Sequence, residues 1–304
     1  MKKILVLFMV LVVLTTGLFA AGVPEAKDDG KITIGMTVPG LQFPFFITMQ
    51  DEALAYAGEL GVELLTHDSQ NQSSIQMAAV ENFIAQKVDG ILISPMTTDS
   101  LVPAIEAAVA AGIPVATVDR KANTDKVLIH VGADNVEGGR AAARFIIEQL
   151  GNKGTVIELE GTAGASAALD RKAGFDEVVK ASNVKILVSQ TADFSRSKAQ
   201  NVMENLMQVY PKFDAVFGAN DEMIIGAIEA MESAGINPAS KITIGFDATT
   251  DAFAYMKEGK LDATIDQFPG QQASKALDVL VDFIKNGTKP SNAVVYINPL
   301  PVTE

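Results

Sequence analysis

A chain of 304 residues, 48% hydrophobic and 20% charged, can bury a substantial core and is not disordered. Its 37 Asp and Glu against 24 Lys and Arg give a net charge of −13, which supplies no basic face for a nucleic acid. With no Cys, no Trp and only two His, it has no disulfides, thiolate metal sites or Cys nucleophiles, and no metal or cofactor is expected.

Residues 1–22 read as a secretory signal peptide. Lys2 and Lys3 precede an apolar run, 4–14, and a small-residue patch, Ala20-Ala21-Gly22, follows. That run is well short of the roughly 20 residues a bilayer span requires. Cleavage removes two lysines and takes the net charge from −13 to −15. Residues 23–30 read as a flexible lead-in.

From residue 32 one theme repeats. Strands are expected at 32–38, 62–66, 90–94, 114–118, 127–131, 155–159, 184–189, 215–218, 242–246 and 262–266, with a terminal β segment at 294–297. Helices are expected at 46–60, 74–87, 99–111, 136–150, 167–181, 196–209, 221–234, 249–258 and 270–285. Gly61, Gly112, Gly151, Gly235 and Gly287 fall near helix ends, where a left-handed residue is wanted. Several strands, such as 90–94, are apolar throughout, as in a parallel sheet covered on both faces. This alternation predicts an α/β architecture, and it runs too long for one sheet, so two sheets are expected.

In open parallel sheets ligands bind beyond the carboxyl ends of the strands. Those positions hold Phe43-Pro44-Phe45-Phe46, Ser94, Asp119-Arg120, Asp170-Arg171, Asp193-Phe194, Asn220-Asp221-Glu222, Phe246-Asp247 and Asp266-Gln267. Planar groups that bond in pairs, together with flat apolar rings, suit a polyhydroxylated ring. Taken singly, each has a plainer role. Asn220 or Asp247 fits a helix cap, Asp119-Arg120 a surface ion pair, and Phe45 and Phe46 a core. Ser166 lacks the flanking glycines of a nucleophile elbow, and Gly138-Gly139 forms no dinucleotide fingerprint. His67 and His130 have no metal-ligand spacing, and Glu158 and Glu160 share one side of a strand, read as a solvated or capping face.

The chain resembles the type I periplasmic sugar-binding proteins of ABC importers, nearest to the ribose binders among them. The likeness is carried by Pro44-Phe45-Phe46, His67-Asp-Ser-Gln-Asn71, Val118-Asp-Arg120, Gly164-Ala-Ser-Ala-Ala168 with Arg171, Ala192-Asp-Phe194, Ala219-Asn-Asp-Glu-Met223, Gly245-Phe-Asp247 and Ala263-Thr-Ile-Asp-Gln267. It implies two Rossmann-like lobes of parallel sheet flanked by helices, joined by a three-crossing hinge that closes on a sugar. The implied boundaries are 23–133 plus 268–297 for the N-terminal lobe and 134–267 plus 298–304 for the C-terminal lobe. By the same resemblance Phe45, Phe46 and Phe194 pack on the sugar, and Phe246 lines the wall. Asp119, Arg120, Arg171, Asn220, Asp247 and Gln267 hydrogen-bond its hydroxyls. Two positions depart from the ribose pattern: Phe43 and Ser94 stand where ribose binders carry Asn. A changed preference among small monosaccharides is therefore expected, with ribose the single best guess.

The implied role is capture of a monosaccharide in the periplasm and delivery to membrane permease subunits, by a monomer that also fits a chemoreceptor partner, without catalysis. A sugar-responsive repressor core shares the fold, but lacks this apolar start and carries a DNA-binding headpiece. A secreted glycosidase using Asp119 and Asp247 is the third reading. It is disfavoured because each has an Arg or amide neighbour suited to holding it ionised.

Overall fold

Aliphatic and β-branched runs form the strands, and the amphipathic stretches between them form the helices. The computed structural model describes residues 30–303, so the signal peptide read at 1–22 lies outside the described residues. The order is β1 (Thr33–Val38), α1 (Pro44–Leu60), β2 (Glu63–Asp68), α2 (Ser73–Gln86), β3 (Gly90–Ile93), α3 (Val102–Ala110) and β4 (Val115–Val118). It continues with β5 (Ile129–Ala133), α4 (Asn135–Gln149), β6 (Gly154–Glu160), α5 (Ser166–Lys180), β7 (Val184–Thr191), α6 (Arg196–Val209) and β8 (Ala215–Gly218). Then come α7 (Asp221–Ser233), β9 (Ile242–Ile244), α8 (Thr250–Lys257), β10 (Thr264–Asp266), α9 (Pro269–Asn286), β11 (Val294–Ile297) and β12 (Leu300–Val302).

Two sheets organise the unit from Ile32 onward. The first is six-stranded and parallel, in the order β11-β5-β4-β3-β1-β2. The second is four-stranded and parallel, in the order β7-β6-β8-β9. A bridge from Ile244 to Ala263 continues it toward β10, which pairs antiparallel with β12. Helix α9 packs on α1, β3, β4 and β5 although it follows β10, and α4 packs on α5, β9, β10 and β12 although it follows β5. The chain therefore passes between the two lobes three times, after β5, after β10 and after β11.

Both sheets are covered on both faces. Ile91, Leu92, Ile93, Val115 and Val118 in the first, and Val156, Ile157, Ala215, Val216 and Phe217 in the second, are fully buried. Each such large aliphatic or aromatic side chain contributes about 1.5–3 kcal/mol. Phe175 of α5 stacks on Phe217 of β8 with centroids 4.4 Å apart. Helices α1 and α9 each end on a left-handed glycine, Gly61 and Gly287.

Three features differ from the sequence reading. Glu158 is buried, not solvated, because β6 is an interior strand covered by α5; Lys172 Nζ reaches its carboxylate at 2.9 Å, and Ser189 also donates to it. Strand β9 stops at Ile244, two residues early, because Asp247 and Ala248 turn the backbone into positive φ. Strand β12 was not expected at all; Pro299 and Pro301 argue against a strand, but Pro301 sits on an edge where its missing N–H costs nothing.

Candidate functional site

The strand-end loops of both sheets converge on one small cavity. It is lined by Phe43, Phe45 and Phe46 after β1 and Asp119 and Arg120 after β4. The other lobe brings Ala167, Arg171, Phe194, Asn220, Asp247 and Gln267. About 20 Å³ of free space remains among them, room for roughly one water. The two lobes are thus closed on each other.

The first lobe supplies an aromatic wall. Phe43 is the N-cap residue of α1 and makes no side-chain cap, and Pro44 follows at the first helical turn. This start throws three rings inward: Phe45 and Phe46 meet edge to face at 5.1 Å, and Phe43 and Phe46 at 6.3 Å. Beside them Asp119, in a left-handed conformation, accepts a hydrogen bond from Ser94 Oγ at 3.1 Å. Arg120 donates from Nη1 to the Met96 carbonyl at 3.0 Å, and its guanidinium lies 5.3 Å from both the Phe46 and Phe194 ring centres. The Nε of Arg120 is buried without a hydrogen-bond partner.

The second lobe supplies most of the polar groups. Arg171 lies flat on Phe246, 3.6 Å from the ring centre, and donates to Asn135 Oδ1 at 2.8 Å and the Ala219 carbonyl at 2.6 Å. It reaches Asp247 Oδ1 at 3.5 Å. Gln267 Nε2 donates to the same Asp247 oxygen at 2.6 Å. Asn220 caps α7 by accepting from the Met223 N–H, and its amide donates to the Phe194 carbonyl.

Electrostatics here are set by burial. Desolvation pushes the Asp119 carboxyl above its ordinary range despite the opposing charges of Arg120 and Arg171. It pushes Asp247 well above, against Arg171 and the Gln267 hydrogen bond. Burial likewise pulls both guanidiniums down, against the nearby carboxylates. The sequence reading expected the neighbours of Asp119 and Asp247 to dominate; removal of water outweighs them.

Of the residues predicted to form the site, Ser94 and Phe246 do not line the cavity. Ser94 stands behind Asp119 and Phe246 behind Arg171. Asn135 and Ala167 were missed, and Asp221 was named at a strand end but given no role. Asp221, fully buried at the start of α7, accepts from the Thr249 N–H at 2.8 Å and Thr264 Oγ1 at 2.7 Å. Thr264 Oγ1 in turn accepts from the Ala248 N–H, so Asp221 braces the turn that presents Asp247. His130 is buried against Thr117, and no group of three or more His, Cys, Asp or Glu able to hold a metal exists among the described residues.

Residues 34–289 match the periplasmic binding protein domain family. The chain is 42% identical over 257 residues to the ribose import binding protein of Bacillus subtilis, covering 84% of this chain and 83% of that one. It is 40% identical over 265 residues to the ribose import binding protein of Salmonella typhimurium, covering 87% and 88%. Among solved structures it resembles the periplasmic binding component of the arabinose ABC transporter of Shewanella, with bound arabinofuranose, at 32% identity and a TM-score of 0.85 over 89% of this chain and 91% of that chain. The two-lobed α/β structure and the extent of these matches place this chain in the periplasmic binding protein family, with the type I fold.

Proposed function

We propose that this protein is the extracytoplasmic solute-binding component of an ABC importer. It captures a monosaccharide between its lobes and delivers the closed form to a membrane permease. The observation that carries this reading is the cavity's composition: two buried guanidiniums and two buried carboxyls, stacked among Phe rings, with Arg120 Nε making no hydrogen bond and only a 3.6 Å ion pair to Asp119. Such groups grip vicinal hydroxyls in pairs while the rings cover C–H faces. The relatives' names point the same way.

On this reading Phe43, Phe45, Phe46 and Phe194 sandwich the sugar, and Asp119, Arg120, Arg171, Asn220, Asp247 and Gln267 hold its hydroxyls. Ser94 and Phe246 orient Asp119 and Arg171. The lobe boundaries fall at the three crossings, the leader at 1–22 directs export, and the protein acts in the periplasm without catalysis. Ribose is the first ligand to try.

The test is a thermal-shift panel of D-ribose, L-arabinose, D-galactose, D-allose and myo-inositol. At least one should stabilise the protein by an amount that rises with the logarithm of its concentration above Kd. Stabilisation by none would sink the reading. Phe43→Asn restores an amide at the aromatic wall and should move the ranking toward ribose; an unchanged ranking removes Phe43 as the selectivity determinant.

A further inference from the structure

Two dipeptides face each other across one rim of the cleft. Arg120-Lys121 follows β4 in the first lobe, and Asp170-Arg171 lies in α5 of the second. The inner members, Arg120 and Arg171, line the cavity. The outer members pair with each other, Lys121 Nζ to Asp170 Oδ2 at 2.6 Å. Beside them the Lys121 N–H donates to Ser166 Oγ at 2.8 Å, and the Thr98 N–H donates to the Gly164 carbonyl at 3.0 Å. The Thr98 loop is itself held to its own lobe, its carbonyl accepting from the Asn123 N–H at 2.7 Å.

Among the described residues these three are the direct polar bonds that join the lobes away from the crossings. Elsewhere around the cleft the lobes stand apart. A cavity of about 340 Å³ separates α1 from the loops around Asp247 and Phe268. Another of about 490 Å³ separates Gln42, Phe43 and Asn71 from the start of α6. The Lys121 and Asp170 side chains are 34% and 26% exposed, so water can take over both groups when the lobes part. Burial lowers the affinity of Lys121 for its proton, but the hydrogen bond and charge of Asp170 outweigh it and hold the pKa above its ordinary value.

We propose that Lys121, Asp170 and Ser166, with the Thr98–Gly164 backbone bond, form an inter-lobe clasp. It is made only on closure and sets the lifetime of the closed state without touching the ligand. The proposal rests on the hinge-closure reading above. Lys121 and Asp170 are positioning residues: one bond along the chain from each, they fix the register in which Arg120 and Arg171 meet. Apparent affinity scales with the fraction of molecules able to close. Loss of the clasp therefore weakens every bound sugar by one common factor, and the change falls on dissociation rather than association. A residue that touches the sugar changes the ranking instead.

The experiment has two arms. The first needs no sugar. The chain has no Cys, and a Cβ built at Gly164 lies 3.5 Å from Thr97 Cβ, within disulfide reach; the φ of +79° at Gly164 strains any side chain there, so all rates are compared within this one background. In a Thr97→Cys, Gly164→Cys background, the rate of oxidative cross-linking reads the closed fraction. Adding Lys121→Met or Asp170→Asn should slow it by a factor of about 1.5 to five, the range of a part-exposed ion pair. An unchanged rate overturns the clasp. The second arm measures dissociation of D-ribose, L-arabinose and myo-inositol, whichever bind. The same variants should speed release of each by one factor, and the exchange Lys121→Asp with Asp170→Lys should restore it. Factors that differ between sugars, or no restoration, overturn the clasp. If the intact protein binds no sugar, the monosaccharide reading fails while cross-linking still decides the clasp.

Discussion

Arg171 concentrates the chemistry of the cleft. Its guanidinium spends donors on Asn135 and Ala219, stacks on Phe246 and faces Asp247. Arg171→Ala leaves a buried carboxyl opposite an empty space, and sugar affinity should fall by about 2–5 kcal/mol. Arg171→Lys should recover little, since an ammonium neither stacks nor forks; calorimetric titration decides, and near-wild-type affinity for either variant removes Arg171 from the site. Asp221 makes a pH prediction. Burial raises its carboxyl from 3.8 to about 7, against hydrogen bonds from Thr249 and Thr264 and the charge of Arg171. The unfolded chain releases this proton near 4 and the folded one holds it to about 7, so this group erodes stability as pH rises across that window. Asp221→Asn cannot titrate, and its stability relative to the wild type should climb from pH 4 to 7 in urea unfolding. A difference that is flat with pH contradicts this. Arg171 was legible through the family resemblance rather than its place in the chain, since it lies within α5, eleven residues beyond the end of β6. Asn135 and the bracing role of Asp221 were not, because a polar residue opening a helix reads first as a cap, and only the tertiary fold shows what else its oxygens accept.

The helices position these residues through close backbone contact. Gly139 of α4 and Gly174 of α5 let the two helices touch: a Cβ at Gly139 would lie 2.0 Å from the Arg171 carbonyl oxygen, and one at Gly174 would lie 1.9 Å from that of Val136. Gly139→Ala must therefore push α5 outward and carry Arg171 with it. Overpacking of this kind costs about 1–3 kcal/mol of stability, and sugar affinity should fall in parallel. Gly58→Ala is the contrast: nothing lies within 4 Å, and the exposed helical site should gain about 0.4–1 kcal/mol. Urea midpoints of the two variants that move in the same direction would refute this account of α4 and α5. Element existence and order were legible because period and glycine punctuation carry them. The pair Gly138-Gly139, which forms no dinucleotide fingerprint, gave no hint of its packing role, because the partner helix lies more than thirty residues onward. The burial of Glu158 was likewise hidden, since strand alternation does not say which strands are interior.

At the scale of the molecule, the roughly 20 Å³ left in the closed cleft cannot hold a sugar, so binding requires the lobes to separate. X-ray scattering should show a larger radius of gyration for the sugar-free protein than for the sugar-bound one. Equal radii would mean that the sugar enters by some smaller motion. Two-lobed organisation was legible from the sheer number of strands, whereas only the resemblance, and not the neighbours in sequence, put α9 within 268–297 of the first lobe, where it packs on α1, β3, β4 and β5. That allocation bears on how the chain assembles. The second lobe's four-stranded sheet is built from the continuous stretch 154–244. The first lobe's sheet gains its outer strand, β11, only at residues 294–297, beside β5 made some 160 residues earlier. A chain emerging N-terminus first can complete the second lobe's sheet while the first still lacks both a strand and its covering helix. Contacts so distant in sequence form slowly. In pulse-labelled refolding, amides of β6 and β8 should be protected before those of β5, so the lobe that begins the protein is the last to be finished.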